Sequence, residues 1–171
     1  MNLKQKQARA SRIRERTLNL RKTLWPQIED AKIWNRKRDH GFTTIPRTLP
    51  LFGRVMDHLS KGKPVYMTYL ALWCRVFDEG VVEISHPREV AYEAGFTGER
   101  QESTWAGRMR ILVNQGFILA ERSHFGEFGY VLLLNPYHVV RQLHDKQRIQ
   151  RDLFLAIERR ADEIGAVLPA R

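Results

Sequence analysis

The sequence predicts a mostly α-helical protein with a small three-stranded β-sheet, two of whose strands form a hairpin. First, apolar residues recur at helical spacing through much of the chain, as in residues 50–60. Second, three short apolar or β-branched runs are typical of strands; they are VVEI (81–84), FILAER (117–122) and GYVLLL (129–134). Third, glycine, proline or asparagine separates these segments, which favours short elements around one core.

The composition indicates a globular protein. The chain has 171 residues, of which 43% are hydrophobic and 28% charged, enough to build one core. No apolar run approaches the ~18 residues of a membrane span, and the basic start is not followed by the apolar segment of a secretory signal. The single cysteine, Cys74, excludes a disulfide framework, and its apolar neighbours predict a small buried side chain. We therefore expect a reduced, cytoplasmic protein.

The positive charge is concentrated at one end of the chain. Residues 1–40 contain 12 Lys or Arg against 4 Asp or Glu, a net charge of +8, whereas the other residues add +2 to reach the total of +10. Such a basic arm is predicted to bind a polyanion, with nucleic acid favoured over an acidic membrane surface. A solvated tail and a mitochondrial transit peptide are the alternatives.

No pattern in the sequence indicates catalysis. The six histidines include no HxxxH pair, so metal ligation is not predicted. The GxSxG nucleophile motif is absent, and the KGK of residues 61–63 lacks the upstream glycine of a phosphate-binding loop. We expect no enzyme activity, no cofactor, no metal and no small-molecule substrate.

The arm is predicted to contain two helices followed by a linker. Residues 3–24 favour helix by propensity, and Pro26 ends the segment. Its thin apolar stripe consists of Ile13, Leu20 and Leu24. Residues 27–37 are predicted as a second short helix, with inward-facing Ile28, Ala31 and either Ile33 or Trp34. The turn-rich residues 39–50 form the linker, so the arm is assigned to residues 1–40.

Three helices and a strand are predicted next. Residues 50–60 repeat apolar side chains every four positions, and residues 65–78 are apolar on nearly all sides, which indicates a buried central helix. After the strand at 81–84, Pro87 opens a further helix. That helix is predicted to bury Val90, Ala91 and Ala94.

A longer helix is predicted over residues 99–115. Gly116 would end it in a left-handed cap. The two hairpin strands follow, joined by the glycine-bearing loop 123–128. Phe125 and Phe128 in this loop are predicted to pack back on the hairpin, with contact to a partner as the alternative.

The C-terminal segment, residues 136–171, is predicted to be helical. Asn135 and Pro136 suit an N-cap and a first helical position, and the pattern extends to Gly165 as one long helix or two helices with a bend. An apolar cluster lies in its second half, at Ile149, Leu153, Phe154, Ile157, Ala161 and Ile164. We expect this cluster to mediate the formation of a homodimer or to pack back against the apolar stripe of the arm.

From residue 65 the predicted order is helix, strand, helix, helix, strand, strand. This order, together with the segment TWAGRMRILVNQGFI (104–118), resembles the winged-helix family of DNA-binding domains. The segment ends a helix at a glycine and begins an apolar strand, as at the join between a recognition helix and its wing. The resemblance covers residues 65–135. It implies a winged helix-turn-helix core, assigned to residues 41–135, with added N- and C-terminal helices.

The helix over residues 99–115 is the predicted reading helix. Its core face would carry Trp105, Met109, Leu112 and Val113, which leaves polar side chains for base edges in the major groove. Gly107 costs ~1 kcal/mol of helix propensity against Ala, which fits a close approach of another backbone. DNA-binding residues are predicted in three places. They are Arg100, Gln101, Ser103, Thr104, Arg108 and Arg110 in the helix, Arg122 and His124 in the wing, and Arg9, Arg12, Arg14 and Arg16 in the arm.

Glu99 and Glu102 oppose this interpretation, because carboxylates in the reading segment would repel phosphates. A protein-interaction module within a larger nucleoprotein assembly is therefore one alternative, and RNA binding is another.

At a finer level, GFTTIPRTLPL, TYLALWCRVFDEG and TWAGRMRILV resemble small winged-helix proteins of bacterial plasmids and integrative elements. That resemblance implies double-stranded DNA as partner, location at the nucleoid or plasmid, and a role in transcription regulation, replication or partition.

Overall fold

The computed structural model describes residues 3–77 and 79–169, except for the side chains of residues 3, 4, 6, 7, 9 and 10. The chain divides into two units, Met1–Phe42 and Thr43–Arg171. The architecture is mostly α-helical with one small three-stranded antiparallel sheet, which confirms the predicted fold class. Within the described residues, no helix combines the length and the apolar character needed to cross a membrane.

The first unit begins with α1 (Leu3–Leu24), the helix predicted over these residues. The apolar stripe of Ile13, Leu20 and Leu24 is more than half exposed, and no residue between 11 and 42 is buried. Near the end of α1, Arg21 forms an ion pair with Asp30 at 2.6 Å. Since none of the described side chains of this unit is buried, α1 depends on the helix propensity of its Lys-, Arg- and Gln-rich sequence.

The helix predicted over residues 27–37 does not form. The chain makes only a short 3-10 turn there (Asp30–Lys32), and Trp34 is 63% exposed. Trp34 instead meets Phe42 edge to face, with ring centroids 5.9 Å apart. The prediction was wrong because helices of this length are marginal without a surface to pack on, and none of these residues is buried.

The second unit starts with two closely packed helices, α2 (Leu49–Leu59) and α3 (Tyr66–Arg75). A Cβ added at Gly53 would lie 2.5 Å from the Tyr66 ring, so this glycine allows the two helices to approach. The carboxylate of Asp57 accepts hydrogen bonds from the backbone N–H groups of Val65 and Tyr66, at 2.7 and 2.9 Å. A side chain of α2 therefore satisfies the first donors of α3.

Helix α3 is shorter and less buried than the predicted helix over residues 65–78. Thr68, Tyr69 and Leu72 carry its core contacts, whereas Cys74 is exposed. The prediction that Cys74 is buried was wrong, because the apolar composition of α3 did not reveal that only one side of it is covered.

A strand and two helices follow, namely β1 (Val81–Glu83), α4 (Pro87–Glu93) and α5 (Gln101–Gln115). Val90, Ala91 and Ala94 are buried, as predicted. Helix α5 starts two residues later than predicted and ends at Gly116, whose φ of 82° is the expected left-handed cap.

The sheet consists of β1, β2 (Ile118–Ser123) and β3 (Gly126–Leu133), with β3 in the middle and both pairings antiparallel. The hairpin turn contains only His124 and Phe125, because Ser123 pairs with Gly126. The six-residue loop predicted at 123–128 is thus mostly strand. The register shifts beyond Glu121, and a Cβ added at Gly129 would overlap Ser123 Oγ. This irregular pairing needs a glycine at position 129.

Two helices, α6 (Pro136–Asp145) and α7 (Arg151–Ile164), complete the unit. The Asn135 side chain caps α6 by accepting from the N–H of Tyr137 at 3.0 Å, as predicted. The apolar face of α7, which we expected to mediate dimerisation, packs against α2. Its buried members are Phe154, Ile157 and Ala161. These side chains are covered within the same chain, and a homodimer stays a prediction.

One apolar core joins the elements of the second unit and fixes α5 within it. Trp105, Met109 and Leu112 of α5 are buried in this core. At the C-terminal end of α5, the buried amide of Gln115 donates to the Met56 carbonyl of α2 at 2.9 Å. The orientation of α5 is therefore set by side chains on its inner face and by a polar contact at its end.

Candidate nucleic-acid interface

The outward face of α5 carries a stripe of four residues. On a helix of 3.6 residues per turn, the side opposite Trp105 carries Ser103, Gly107, Arg110 and Asn114. Ser103, Arg110 and Asn114 are exposed, and Gly107 is half-buried. We call these four residues the α5 stripe. It presents a hydroxyl, a flat backbone position, a guanidinium and an amide in successive turns.

Gly107 makes the middle of the stripe flat. Apart from the neighbouring backbone of α5 itself, a Cβ added there would meet no atom of the described residues within 4 Å, so no other described backbone approaches it. The close approach that a mid-helix glycine suggested is therefore absent inside the protein. The space in front of Gly107 is open to a molecule from outside.

Arg110 in the stripe is paired with Glu127 of β3. Its Nε donates to Glu127 Oε1 at 3.0 Å and its Nη2 donates to Oε2 at 2.5 Å, a bidentate contact between α5 and the hairpin. The guanidinium carbon also lies 6.0 Å from the centre of the Phe128 ring. The hydrogen bond from Arg110 lowers the pKa of the Glu127 carboxyl, and Arg122 lowers it further by its charge. The same hydrogen bond raises the pKa of Arg110. Both groups are thus held charged.

Arg108 lies beside the stripe, not within it. Its guanidinium carbon is 5.9 Å from the centre of the Phe96 ring, in the turn between α4 and α5. Its Nε is buried and has no hydrogen-bond partner among the described residues. The side chain is half-buried, so its position is set by packing while its terminal nitrogens remain available.

The side chain of Gln101, a predicted DNA-binding residue, faces the core and is not placed for base reading. The side chain is only 7% exposed, and its amide nitrogen donates to the carbonyl of Arg88 at 3.1 Å. Gln101 lies four residues before Trp105, which places it on the core face of α5. It joins the start of α5 to α4 and so acts in positioning.

The other predicted residues at the start of α5 lie where base or phosphate contact is possible. Arg100 occupies the N-cap position and is exposed. The Ser103 hydroxyl donates to the Arg100 carbonyl at 3.0 Å, which leaves its oxygen free to accept. Thr104 is half-buried beside the stripe.

The hairpin brings two predicted residues to its tip. Arg122 and His124 are both exposed, and the His124 ring lies 3.7 Å from the ring of Phe125. Phe128 is buried against Trp105, which confirms its predicted packing, whereas Phe125 remains 40% exposed. The tip therefore offers one guanidinium and a pair of exposed rings.

The two opposing carboxylates lie at the start of α5 and outside the stripe. Glu99 is exposed in the turn before α5. Glu102 lines an open groove between α4 and α5 whose other members include His86, Glu89, Tyr92 and Glu93. The stripe itself contains no carboxylate, although Arg110 is paired with the exposed Glu127 of β3.

The predicted arginines of the arm lie on α1. Arg12, Arg14 and Arg16 are exposed, with only Glu15 as an acidic neighbour between them. The side chain of Arg9 lies outside the described residues. The exposed cations can reach a polyanion without breaking contacts of the first unit.

Two members of the site were missed from the sequence. Asn114 follows Gly107 by seven residues, so its position on the same face could have been found from helical spacing. The pairing of Arg110 with Glu127 joins residues 17 positions apart, and no local pattern indicates it.

The described residues contain no group of three or more His, Cys, Asp or Glu that could hold a metal ion. Comparison of the chain with protein-family models, curated proteins and solved structures finds no match.

Proposed function

We propose that the protein binds double-stranded DNA, with α5 in the major groove and with the hairpin and the basic arm on phosphates. The observation that carries this proposal is the α5 stripe, a carboxylate-free face on the second helix of a helix-turn-helix arrangement. The order α3, β1, α4, α5, β2, β3 and the sheet order β1-β3-β2 support the winged-helix resemblance of the core. An α-helix fits the major groove of B-DNA, and its polar side chains reach base edges there.

The basic arm would supply the affinity that does not depend on sequence. Exposed arginines on α1 neutralise phosphates and release counterions. The second unit is almost balanced in charge and would supply the preference for particular bases.

The experiment compares a charge added on the stripe with the same charge added elsewhere. Ser103→Glu places a carboxylate on the stripe, and Gln142→Glu places one on the exposed side of α6. Binding of the full chain and both variants to a random duplex of about 20 base pairs is measured at several salt concentrations. We expect Ser103→Glu to weaken binding by about tenfold or more, and Gln142→Glu by about twofold or less. Equal losses, or no duplex binding at low salt by the unmodified chain, would contradict the proposal.

A second candidate function is a docking module within a nucleoprotein assembly. Val81, Leu119 and Tyr130 are exposed on the outer face of the sheet, where Leu132 of β3 pairs with both Val81 and Leu119. Exposed apolar rows of this kind are typical of interaction surfaces. A Leu119→Glu variant that keeps its duplex affinity but no longer supports the biological activity of the protein in cells would favour this function.

The biological role is proposed on the resemblance alone. Regulation of transcription, replication or partition on a bacterial mobile element would each use a duplex-binding core of this size. The arm could also bind structured RNA. Competition between duplex DNA and duplex RNA of equal length separates the two, because a preference for RNA would contradict major-groove reading by α5.

A further inference from the structure

The pairing of Arg110 with Glu127 leaves one edge of the guanidinium open. Nε and Nη2 donate to the two carboxylate oxygens of Glu127, so one side of the fork is occupied. Arginine has five N–H donors in a fixed plane. The edge formed by Nη1 and the outer hydrogen of Nη2 therefore remains, and it carries two parallel donors. Arg110 is exposed at the middle of the α5 stripe.

The surroundings of Arg110 restrict its movement. Glu127 belongs to β3, the central strand of the sheet, and Phe128 beside it is buried. The guanidinium lies 6.0 Å from the Phe128 ring centre. A long arginine side chain on an exposed helix face normally samples many rotamers. Here the two-point contact to Glu127 of β3 orients the plane of the fork before any ligand arrives.

The ion pair also changes what Arg110 can recognise. Phosphate is attracted by charge from any direction, and a carboxylate within hydrogen-bond distance offsets that attraction. Guanine offers the two acceptors O6 and N7 in the major groove, and these match two parallel donors of one arginine edge. An arginine whose charge is offset and whose plane is oriented therefore binds phosphate weakly but can donate two hydrogen bonds to guanine.

We propose that Arg110 is the guanine-reading residue of α5 and that Glu127 is the residue that positions it. This inference rests on the proposed binding of duplex DNA. It assigns sequence preference to a contact between α5 and the hairpin. The hairpin then acts in specificity through Glu127, in addition to any phosphate contact by Arg122.

The test uses a duplex enriched by the full chain from a randomised library of about 20 base pairs, with a random duplex as reference. Three single variants are compared with the unmodified chain. Arg110→Lys keeps the positive charge and removes the fork. Glu127→Gln removes the positioning carboxylate. Glu121→Gln removes an exposed carboxylate of β2, which forms no ion pair among the described residues, and serves as the matched control. Circular dichroism and thermal unfolding verify that each variant folds.

We expect Arg110→Lys to lower the ratio of selected to random affinity by ~5- to 100-fold, while random-duplex affinity changes by about twofold or less. Single G·C pairs of the selected duplex are then replaced by A·T. At one pair, we expect this replacement to lower the affinity of the unmodified chain by the same factor of ~5- to 100-fold, and to leave the affinity of Arg110→Lys almost unchanged. Glu127→Gln should raise random-duplex affinity and lower the same ratio by at least about threefold. Glu121→Gln should leave the ratio unchanged. The double variant Arg110→Lys/Glu127→Gln should show no further loss of ratio beyond Arg110→Lys.

Other outcomes overturn the inference in distinguishable ways. If the chain binds duplex DNA and enriches a sequence, but Arg110→Lys keeps the ratio, Arg110 is a phosphate contact and only this inference fails. If Glu127→Gln and Glu121→Gln have the same effect, Glu127 contributes charge and not position. Duplex binding without any enriched sequence also removes the guanine assignment. Absence of duplex binding at low salt removes both this inference and the proposed function.

Discussion

Trp105 of α5 and Phe128 of β3 meet edge to face in the core, with ring centroids 5.7 Å apart. Both rings are buried, and edge-to-face pairs of this kind are favourable beyond their buried area. Trp105 lies two residues before Gly107 on the opposite side of α5, and Phe128 directly follows Glu127. The Trp105–Phe128 contact packs α5 against the hairpin, so we expect the spacing between the α5 stripe and the hairpin to be the same with and without DNA.

Replacement of Gly107 by alanine should raise the free energy of unfolding and lower the affinity for duplex DNA. No atom lies within 4 Å of the added Cβ, and alanine is the better helix former by ~1 kcal/mol, so the free energy of unfolding should rise by about that amount. The methyl group would stand on the flat part of the α5 stripe, and we expect duplex affinity to fall by about tenfold. Urea unfolding and duplex titration measure the two quantities. Ala106→Gly, the converse change at the neighbouring position, should lower stability and leave affinity nearly unchanged. A Gly107→Ala variant that is stabilised and binds normally would place the DNA elsewhere.

Replacement of Arg108 by alanine should weaken binding to every duplex by a similar factor. Its guanidinium is held over the Phe96 ring beside the stripe, where a phosphate contact is expected. Affinities for the selected and random duplexes should both fall, by about three- to tenfold, and the salt slope should decrease by about 1. A loss confined to one base position, worth ~1–3 kcal/mol, would instead make Arg108 a base reader.

Removal of positive charge from α1 should lower the salt dependence of binding. If about six Lys or Arg of the arm meet phosphates, the log–log salt slope is expected near −5. Deletion of residues 1–24 should flatten this slope while the ratio of selected to random affinity is preserved. Replacing Arg12, Arg14 and Arg16 together by glutamine should reduce the slope by about 2–3. An unchanged slope in both variants would remove the arm from the interface.

Alkaline pH should destabilise the second unit through Tyr69. Burial raises the pKa of this phenol to about 12, against an ordinary value of 10.0. Since the folded pKa is raised, this stabilisation is complete below pH 10 and is lost as the pH rises through about 12. The full loss is about 2–3 kcal/mol of the free energy of unfolding. Urea unfolding at pH 8, 10 and 11 follows the onset of this loss, which reaches about half of its full size at pH 11, and a Tyr69→Phe variant should lose less stability over the same range. Identical pH profiles for the two proteins would contradict the assignment.

Much of the second unit could be predicted because its signals are local. Pro87, Gly116 and Asn135 mark the ends of helices through backbone geometry and capping that depend on a few neighbouring residues. The strands could be recognised from their apolar residues. The failed helix over residues 27–37 had the right spacing, but periodicity does not say whether a surface exists for the apolar side to pack on.

The candidate site was predicted less well because it depends on contacts between elements. Gln101 looked available for reading because it is polar, yet its spacing from Trp105 places it on the inner face. Arg110 looked unpaired because its partner lies on a strand that follows the helix. Residue type indicated which side chains could bind DNA, whereas orientation and pairing required the tertiary structure.

Helix α2 contacts both helices on which the arrangement of the core depends. Its Asp57 carboxylate holds the start of α3, and its Met56 carbonyl receives the amide of Gln115 at the end of α5. Substitutions in α2, which carries none of the proposed DNA contacts, are therefore expected to change the tilt of α5. Variants selected for an altered target site should include substitutions in α2 as well as on the α5 stripe, and those in α2 would change which base pairs the unchanged stripe can reach.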